Sequence, residues 1–279
     1  MAAASAWTLT SCSKNSYFLW HNSFLMLHLR TGTQLVPPEP HFRWRGGEVT
    51  RLEGFTDAVF AFAMTLLVVS LEVPHTFEDL MYAIKGFVAF AICFATLISV
   101  WHRHYIYSRR YGLQTTYSVI LNSTLLFVVL FYVYPLKFLF TLVVGEFSSR
   151  TVRQEQINRM LSSQHQVPML MVIYSLGTMA VFLLFTLLYH YAYSKRVELE
   201  LNEYEALSTR NQIIQSAGFA IVGILVAVTA MTVPERYAGQ TGLLFTLNGF
   251  WGWFAGAKFG QQERLVREKM AEEAVIPSS

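Results

Sequence analysis

Arg51-Leu52-Glu53-Gly54-Phe55-Thr56-Asp57-Ala58-Val59-Phe60-Ala61-Phe62-Ala63-Met64-Thr65-Leu66-Leu67-Val68-Val69-Ser70-Leu71-Glu72-Val73-Pro74 begins with charged and polar side chains and then runs apolar up to a proline. Its apolar part, Phe55 to Val73, is near the ~20 residues that cross the hydrocarbon core of a bilayer as a helix. At about 100° per residue, with Phe62 as zero, Leu66 lies near +40°, Val69 near −20°, Val73 near +20° and Thr65 near −60°. Thr56 and Asp57 fall on the far side. The stretch therefore predicts a helix with one bulky apolar stripe and a polar opposite face in its first turn. An acidic residue at the start of a membrane span is costly unless it caps or is paired. Two readings of Asp57 stand side by side: with Thr56 it caps the helix and complements its dipole, or it joins a buried polar network with Arg51 and a neighbouring helix.

Working outward, five further apolar segments follow, at about 80–101, 117–144, 168–191, 213–233 and 242–259. In lipid each backbone polar group needs an internal partner, so the segments are expected to be helices. Strand-like alternation is absent, which argues against a barrel. Composition agrees: 53% of the 279 residues are hydrophobic and 14% charged, with 22 Phe, 14 Tyr and 6 Trp, against about 25% charged in a soluble domain. The fold class is all-α, a polytopic membrane protein with six transmembrane helices. A net charge of +3 with scattered basic residues is not the concentrated patch of a nucleic-acid binder. Cys12 and Cys93 cannot build a disulfide scaffold, and Cys93 in its apolar run reads as a small core residue.

Lys and Arg placement orients the spans. Arg43, Arg45 and Arg51 precede the first. Arg103, Arg109 and Arg110 lie between the second and third, Lys195, Arg196 and Arg210 between the fourth and fifth, and Arg264, Arg267 and Lys269 after the sixth. The alternate links carry Glu72, Glu78, Asp79 and Lys85, and Arg236; the link 145–167, with Arg150, Arg153 and Arg159, breaks the trend and is expected to hold a short surface helix. The pattern predicts a multi-pass protein of the cell membrane with both termini cytoplasmic. Residues 1–42, with an interrupted apolar stretch at 17–29 and the breaker-rich Val36-Pro37-Pro38-Glu39-Pro40, read as an accessory extension rather than a signal peptide. Residues 43–262 form the transmembrane domain, and 263–279 a cytoplasmic tail.

Trp101-His102-Arg103-His104 reads as the Trp-anchored basic end of the second helix; the two histidines lie about 200° apart on a helix, a poor metal pair. Asn122, beside Ser123, is placed to link helices by a hydrogen bond. Pro135 and Lys137 mark the outer end of the third span, where Lys137 can snorkel, and His190 reads as interfacial. Gly218, Gly223, Gly249 and the four-residue series Gly252, Gly256, Gly260 signal close packing, within the subunit or between subunits. Glu72 lies off the stripe and reads as a solvated helix end.

Arg51 followed by Phe55-Thr56-Asp57 and Ala-Val-Phe-Ala-Phe-Ala-Met-Thr-Leu-Leu-Val resembles the signature of the transmembrane protein 175 family, potassium-permeable channels whose first helix carries Arg-x-x-x-Phe-Ser-Asp. The resemblance covers roughly residues 45–260 and matches the members with one six-helix unit per chain. It implies a homo-oligomer, a tetramer, whose first helices line a central pore. Phe62 would form the constriction, with Leu66 and Val69 as further layers and Thr65 at the position implicated in selectivity. Arg51, Phe55, Thr56 and Asp57 would hold the helix against its neighbours, with Trp101 as their partner. Potassium ions, and by the same resemblance protons, would pass an apolar neck that can gate by dewetting; lipid surrounds it and no cofactor or metal is called for. Thr56 replaces serine and keeps the hydroxyl. Phe62 replaces the usual isoleucine or leucine, so four rings would make a tighter, flatter neck.

Two rivals belong to other classes. A secondary transporter needs a midplane charged site and broken helices, and no acidic residue lies mid-span. A membrane enzyme needs clustered His or carboxylates at one surface, for which His102, His104 and His190 are the candidates.

Overall fold

In the computed structural model of the chain, residues 42–47, 49–69, 75–146, 166–234, 237 and 239–275 are described. Residues 1–41, Ser70 to Pro74 with Glu72 and Val73, the link 147–165 and Arg236 lie outside them, and with them the expectations for those segments. The described residues form six long helices: α1 (Arg51–Val69), α2 (Phe77–Tyr111), α3 (Thr116–Glu146), α4 (Gln166–Ser194), α5 (Glu203–Thr232) and α6 (Thr246–Val275). A 3-10 turn, Gly239–Phe245, leads into α6. The chain is an all-α, multi-pass membrane protein.

Five stretches are long and apolar enough to cross a membrane: 51–69, 87–111, 116–138, 166–194 and 203–232. The sixth expected span is divided. Its first residues form the 3-10 turn, and α6 continues to Val275, well past the expected boundary at 262. There its charged second half runs beside the start of α5: Asn211 donates to Glu263 at 3.1 Å, Lys269 pairs with Glu203 at 3.7 Å, and the Arg267 guanidinium lies 5.4 Å from the Tyr204 ring.

The second helix also departs from expectation. It continues ten residues past Trp101 to Tyr111. No helix breaker interrupts 102–111, and Tyr107 and Tyr111 bury their rings against Tyr189 of α4 at 5.4 and 6.1 Å. Inward aromatic packing thus outweighs the polar composition of that segment. The helix stops at Gly112, whose φ of +58° is the left-handed capping position and whose N–H donates to Ser108 at 2.9 Å.

The main core joins α1 to α4. Phe60, Ala63 and Leu67 of α1, Cys93 and Leu97 of α2, a row from Leu121 to Leu136 on α3, and Val181 to Ala192 on α4 form one buried cluster. Helix α3 lies against α1, α2 and α4, whereas α5 packs most extensively on α4. That second interface is close because it is built over glycines. A Cβ at Gly223 would stand 3.0 Å from the Ser175 carbonyl of α4, and at the contact of α5 with α6 one at Gly218 would collide with the Trp251 indole. Gly177, unremarked in the sequence reading, gives the same room to the Tyr132 ring.

The four-residue glycine series on α6 does not act as a unit within the chain. Gly252 approaches Phe219, while Gly249, Gly256 and Gly260 face open space among the described residues.

The candidate pore helix and the network at its base

Helix α1 starts at Arg51, four residues before the expected start at Phe55, because its cap is upstream. The Thr50 hydroxyl accepts the Glu53 N–H at 3.1 Å, and the Glu53 carboxylate accepts the Thr50 N–H at 2.9 Å. This reciprocal Thr-x-x-Glu box satisfies two of the donors a helix start leaves open. It also corrects one reading of Thr56 and Asp57: they lie in the second turn and cap nothing.

The buried arc of α1 is Thr56, Phe60, Ala63 and Leu67, spaced for one side of a helix. The Thr56 hydroxyl donates to the Leu52 carbonyl at 2.8 Å, so its polar atom is satisfied without a neighbour. Phe60 is wholly buried, and its ring lies 6.2 Å from that of His104. The expected stripe lies on another side. Phe62 is 57% exposed and Val69 71% exposed; Thr65 is exposed and Leu66 half-buried. The Thr65 hydroxyl donates back to Ala61 at 2.9 Å, leaving its oxygen lone pairs outward.

The motif residues do not gather on one side. Asp57 Oδ1 accepts the Trp101 indole N–H at 2.8 Å, tying α1 to α2. The Trp101 ring stacks on Tyr105 at 5.7 Å, and Tyr105 in turn carries the Arg109 guanidinium at 5.6 Å. Arg51 and Phe55 are exposed, and no bond from Arg51 is present among the described residues. The reading in which Asp57 enters a buried network with Arg51 is therefore corrected within one chain: by helical geometry Arg51 stands about 120° from Asp57, on the stripe's side.

Beneath this link lies a second, fully buried one. His104 is not a solvated helix end. It is buried, with its Nε2–H directed at the Asn122 Oδ1 2.6 Å away. The Asn122 amide then donates to the Ser118 carbonyl at 2.8 Å. The bond fixes α2 against α3 at the same histidine whose ring meets Phe60 of α1.

The segment before α1 is held most strongly of all, and through a residue the sequence reading did not single out. Glu205, 1% exposed, accepts at its two carboxylate oxygens from Arg43 N (2.7 Å), Arg45 Nη1 (3.2 Å), Arg45 Nη2 (2.6 Å) and Asn202 N (3.1 Å). Arg45 also donates from Nε to the Leu199 carbonyl at 2.7 Å and from Nη2 to that of Glu200 at 3.1 Å. A planar guanidinium with five donors meets this set without a leftover charge. Glu205 is at the same time the third residue of the α5 capping box with Asn202. The Asn-x-x-Glu spacing at 202–205 was the available signal. Gly46 completes the fit: its N–H and that of Arg45 donate to the Arg109 carbonyl at 3.0 and 3.1 Å, and a Cβ there would stand 2.9 Å from the Ser108 carbonyl.

Chemically, this is a scaffold for presenting a helix face. The hydroxyls of α1 are committed to its own backbone, and the polar network braces its base. The stripe offers apolar carbon and one threonine oxygen.

Three comparisons bear on this arrangement. The family model described as "Endosomal/lysosomal potassium channel TMEM175" matches residues 51–132, from the first residue of α1 into α3. A protein of Marivirga tractuosa named "Potassium channel" is 42% identical over 202 residues, covering 72% of this chain and 82% of that protein. A crystal structure of a threonine-to-alanine variant of the potassium channel MtTMEM175, in complex with a Nanobody-MBP fusion protein, is similar with a TM-score of 0.65 and 35% sequence identity. That similarity covers 82% of this chain and 98% of the other.

Proposed function

The chain belongs to the TMEM175 potassium channel family, and from that premise we propose that it forms a potassium-permeable channel through which ions pass passively. Copies of the chain assemble, as a tetramer, around the exposed stripe of α1. The observation that carries this reading is the division of α1 into a buried arc and a bare one: Phe60 is wholly buried and Phe62, two residues on, is 57% exposed. One six-helix unit cannot enclose a pore, so the bare arc supplies the wall only in an oligomer. Phe62 forms the neck, with Leu66 and Val69 as further apolar layers and Thr65 as the polar oxygen beside it. A partly dehydrated cation crosses such a neck without a ring of carbonyls, and the neck closes by dewetting.

Asp57, Thr56 and Trp101 position the helix. Arg51 and Phe55, exposed in the single chain, are placed to meet a neighbouring subunit. The protein resides in the cell membrane with both termini cytoplasmic, since Arg43, Arg45, Arg109, Arg110, Lys195 and Arg196 mark one end of the helices.

Purified protein in liposomes loaded with potassium tests the proposal. A valinomycin-independent potassium efflux, retained when His102 and His190 are replaced by alanine, is the expected result. Absence of efflux, or efflux that saturates and depends on a co-substrate as a transporter's would, contradicts it.

A further inference from the structure

The first turn of α1 carries a charge that its own chain leaves unmatched. Arg51 is exposed, and among the described residues it makes no hydrogen bond and no ion pair. The carboxylates nearest to it along the helix are engaged elsewhere. Glu53 accepts the Thr50 N–H at 2.9 Å, and Asp57 accepts the Trp101 indole N–H at 2.8 Å. At about 100° per residue, Glu53 stands about 160° from Arg51 and Asp57 about 120°. Arg45, by contrast, meets the buried Glu205. Of these two arginines, the fold supplies a counter-charge to one.

Arg51 points the way the apolar stripe points. On the same wheel it lies about 20° to one side of Phe62, and Phe55 about 20° to the other. Phe55 is 56% exposed and Phe62 57% exposed. One bare line therefore runs from Arg51 through Phe55 to Phe62, and the rise of 1.5 Å per residue puts Arg51 about 16 Å below the neck. In the oligomer proposed above, a residue on this line faces the axis, where each neighbouring subunit presents the same residue. Arg51 thus meets its own copies. The guanidinium keeps its proton at any pH the protein meets, so the copies form a ring of fixed positive charge at the cytoplasmic mouth.

Cation channels use rings of carboxylates to gather cations; a ring of guanidiniums does the reverse. Charge clustered in a cleft with low-dielectric walls sets up potentials of several kT. Even about one kT depletes potassium about three-fold at that mouth, and a divalent cation about seven-fold. An ion arriving from the cytoplasm must enter through the depleted zone. One arriving from the other side reaches the ring only on its way out, after the neck.

We propose that Arg51 sets the direction of current in this channel, the ring lowering outward potassium flow relative to inward flow and holding divalent cations away from the cytoplasmic mouth. The proposal rests on the channel reading above, with α1 lining the pore and its amino end in the cytoplasm. It adds to that reading an electrostatic element outside the neck.

Inside-out patches in symmetric potassium chloride test it, because the cytoplasmic face is then known. At equal and opposite voltages, unitary inward current is expected to exceed outward current about three-fold at low salt. The ratio is expected to approach one as the salt is raised from about 0.1 M to about 1 M and the Debye length falls from about 10 Å to about 3 Å. Arg51→Gln is expected to remove the rectification by raising outward current and leaving inward current unchanged. Arg51→Lys is expected to retain it, which a role resting on guanidinium geometry would not permit. If Arg51→Gln does not assemble, the salt dependence of the natural protein decides. Equal currents in both directions at low salt, rectification of the opposite sense, rectification undiminished at high salt, or rectification retained in Arg51→Gln would each overturn the proposal; a current that still responds to Phe62→Ala would then leave the pore reading standing. Absence of any potassium current would overturn both.

Discussion

The segment before α1 and the stripe along α1 are neighbours in the chain and built on opposite terms. Residues 42–47 are held by a carboxylate accepting four hydrogen bonds, a guanidinium shared with two carbonyls, and a glycine pressed onto α2. Along the stripe, Phe62 and Val69 are left largely bare among the described residues, and Leu66 is half-buried. Where the polypeptide satisfies itself completely, it is fixing a fold. Where large apolar side chains are left bare on a helix whose other face is fully packed, it is leaving a surface for something outside the chain. In a membrane protein that outside is lipid or another subunit, and the proposed channel takes the second for the stripe of α1.

The difference can be broken most forcefully at Glu205. Replacing it with alanine strands Arg45, 11% exposed in its side chain, without its counter-charge. Breaking a buried pair from one side costs about 3–5 kcal/mol. Thermal unfolding in detergent is expected to show a large drop for Glu205→Ala and for Arg45→Ala, and no further drop when the two are combined. Additive losses would show that the two side chains act separately.

The contrast on α1 itself is sharper because the two positions carry the same residue. Phe60→Ala empties a wholly buried site and is expected to cost about 3–5 kcal/mol. Phe62→Ala, on the bare arc, is expected to stay within about 0.5 kcal/mol for the single chain. Comparable losses at both positions, read from denaturant unfolding, would show that Phe62 is part of the protomer core.

A smaller effect is expected at the link between the two regions. Trp101→Phe keeps the ring stacked on Tyr105 and removes the N–H that Asp57 accepts. A bond to a charged group contributes about 1.5–3 kcal/mol, at the low end where water can reach it. The expected signature is a modest fall in melting temperature that Asp57→Asn reproduces and that the double variant does not deepen.

Much of this was legible in the sequence. Hydropathy pointed to the helical class and to six long helices, because membrane thickness fixes the length of a span. The wheel separated Phe62, Leu66 and Val69 from Thr56 because periodicity survives in the fold. What escaped depended on partners far along the chain. Arg45 and Glu205 are 160 residues apart, and counting Arg45 as a flanking positive charge hid its role. The α1 cap is readable as Thr-x-x-Glu at 50–53, but Thr56 and Asp57, whose polarity stands out against the apolar run, drew one of the two readings to themselves. The length of α2 was missed because 102–111 are polar in composition yet turn their tyrosines inward. The α6 glycines divide: regular spacing suggested a contact face within or between subunits, and among the described residues Gly252 alone of the series meets a neighbour.

The account rests on the bare stripe being the pore wall, and single-channel recording of the protein in planar bilayers reaches it most directly. With potassium on one side and sodium on the other, replacing Phe62 by alanine or valine is expected to raise unitary conductance and to change the reversal potential, since the narrowest apolar layer is widened. Replacing Val68, half-exposed on the same helix but off the stripe, is expected to change neither. Conductance unaltered by both Phe62 variants, or altered equally at Val68, would contradict the claim that this face of α1 lines the pore.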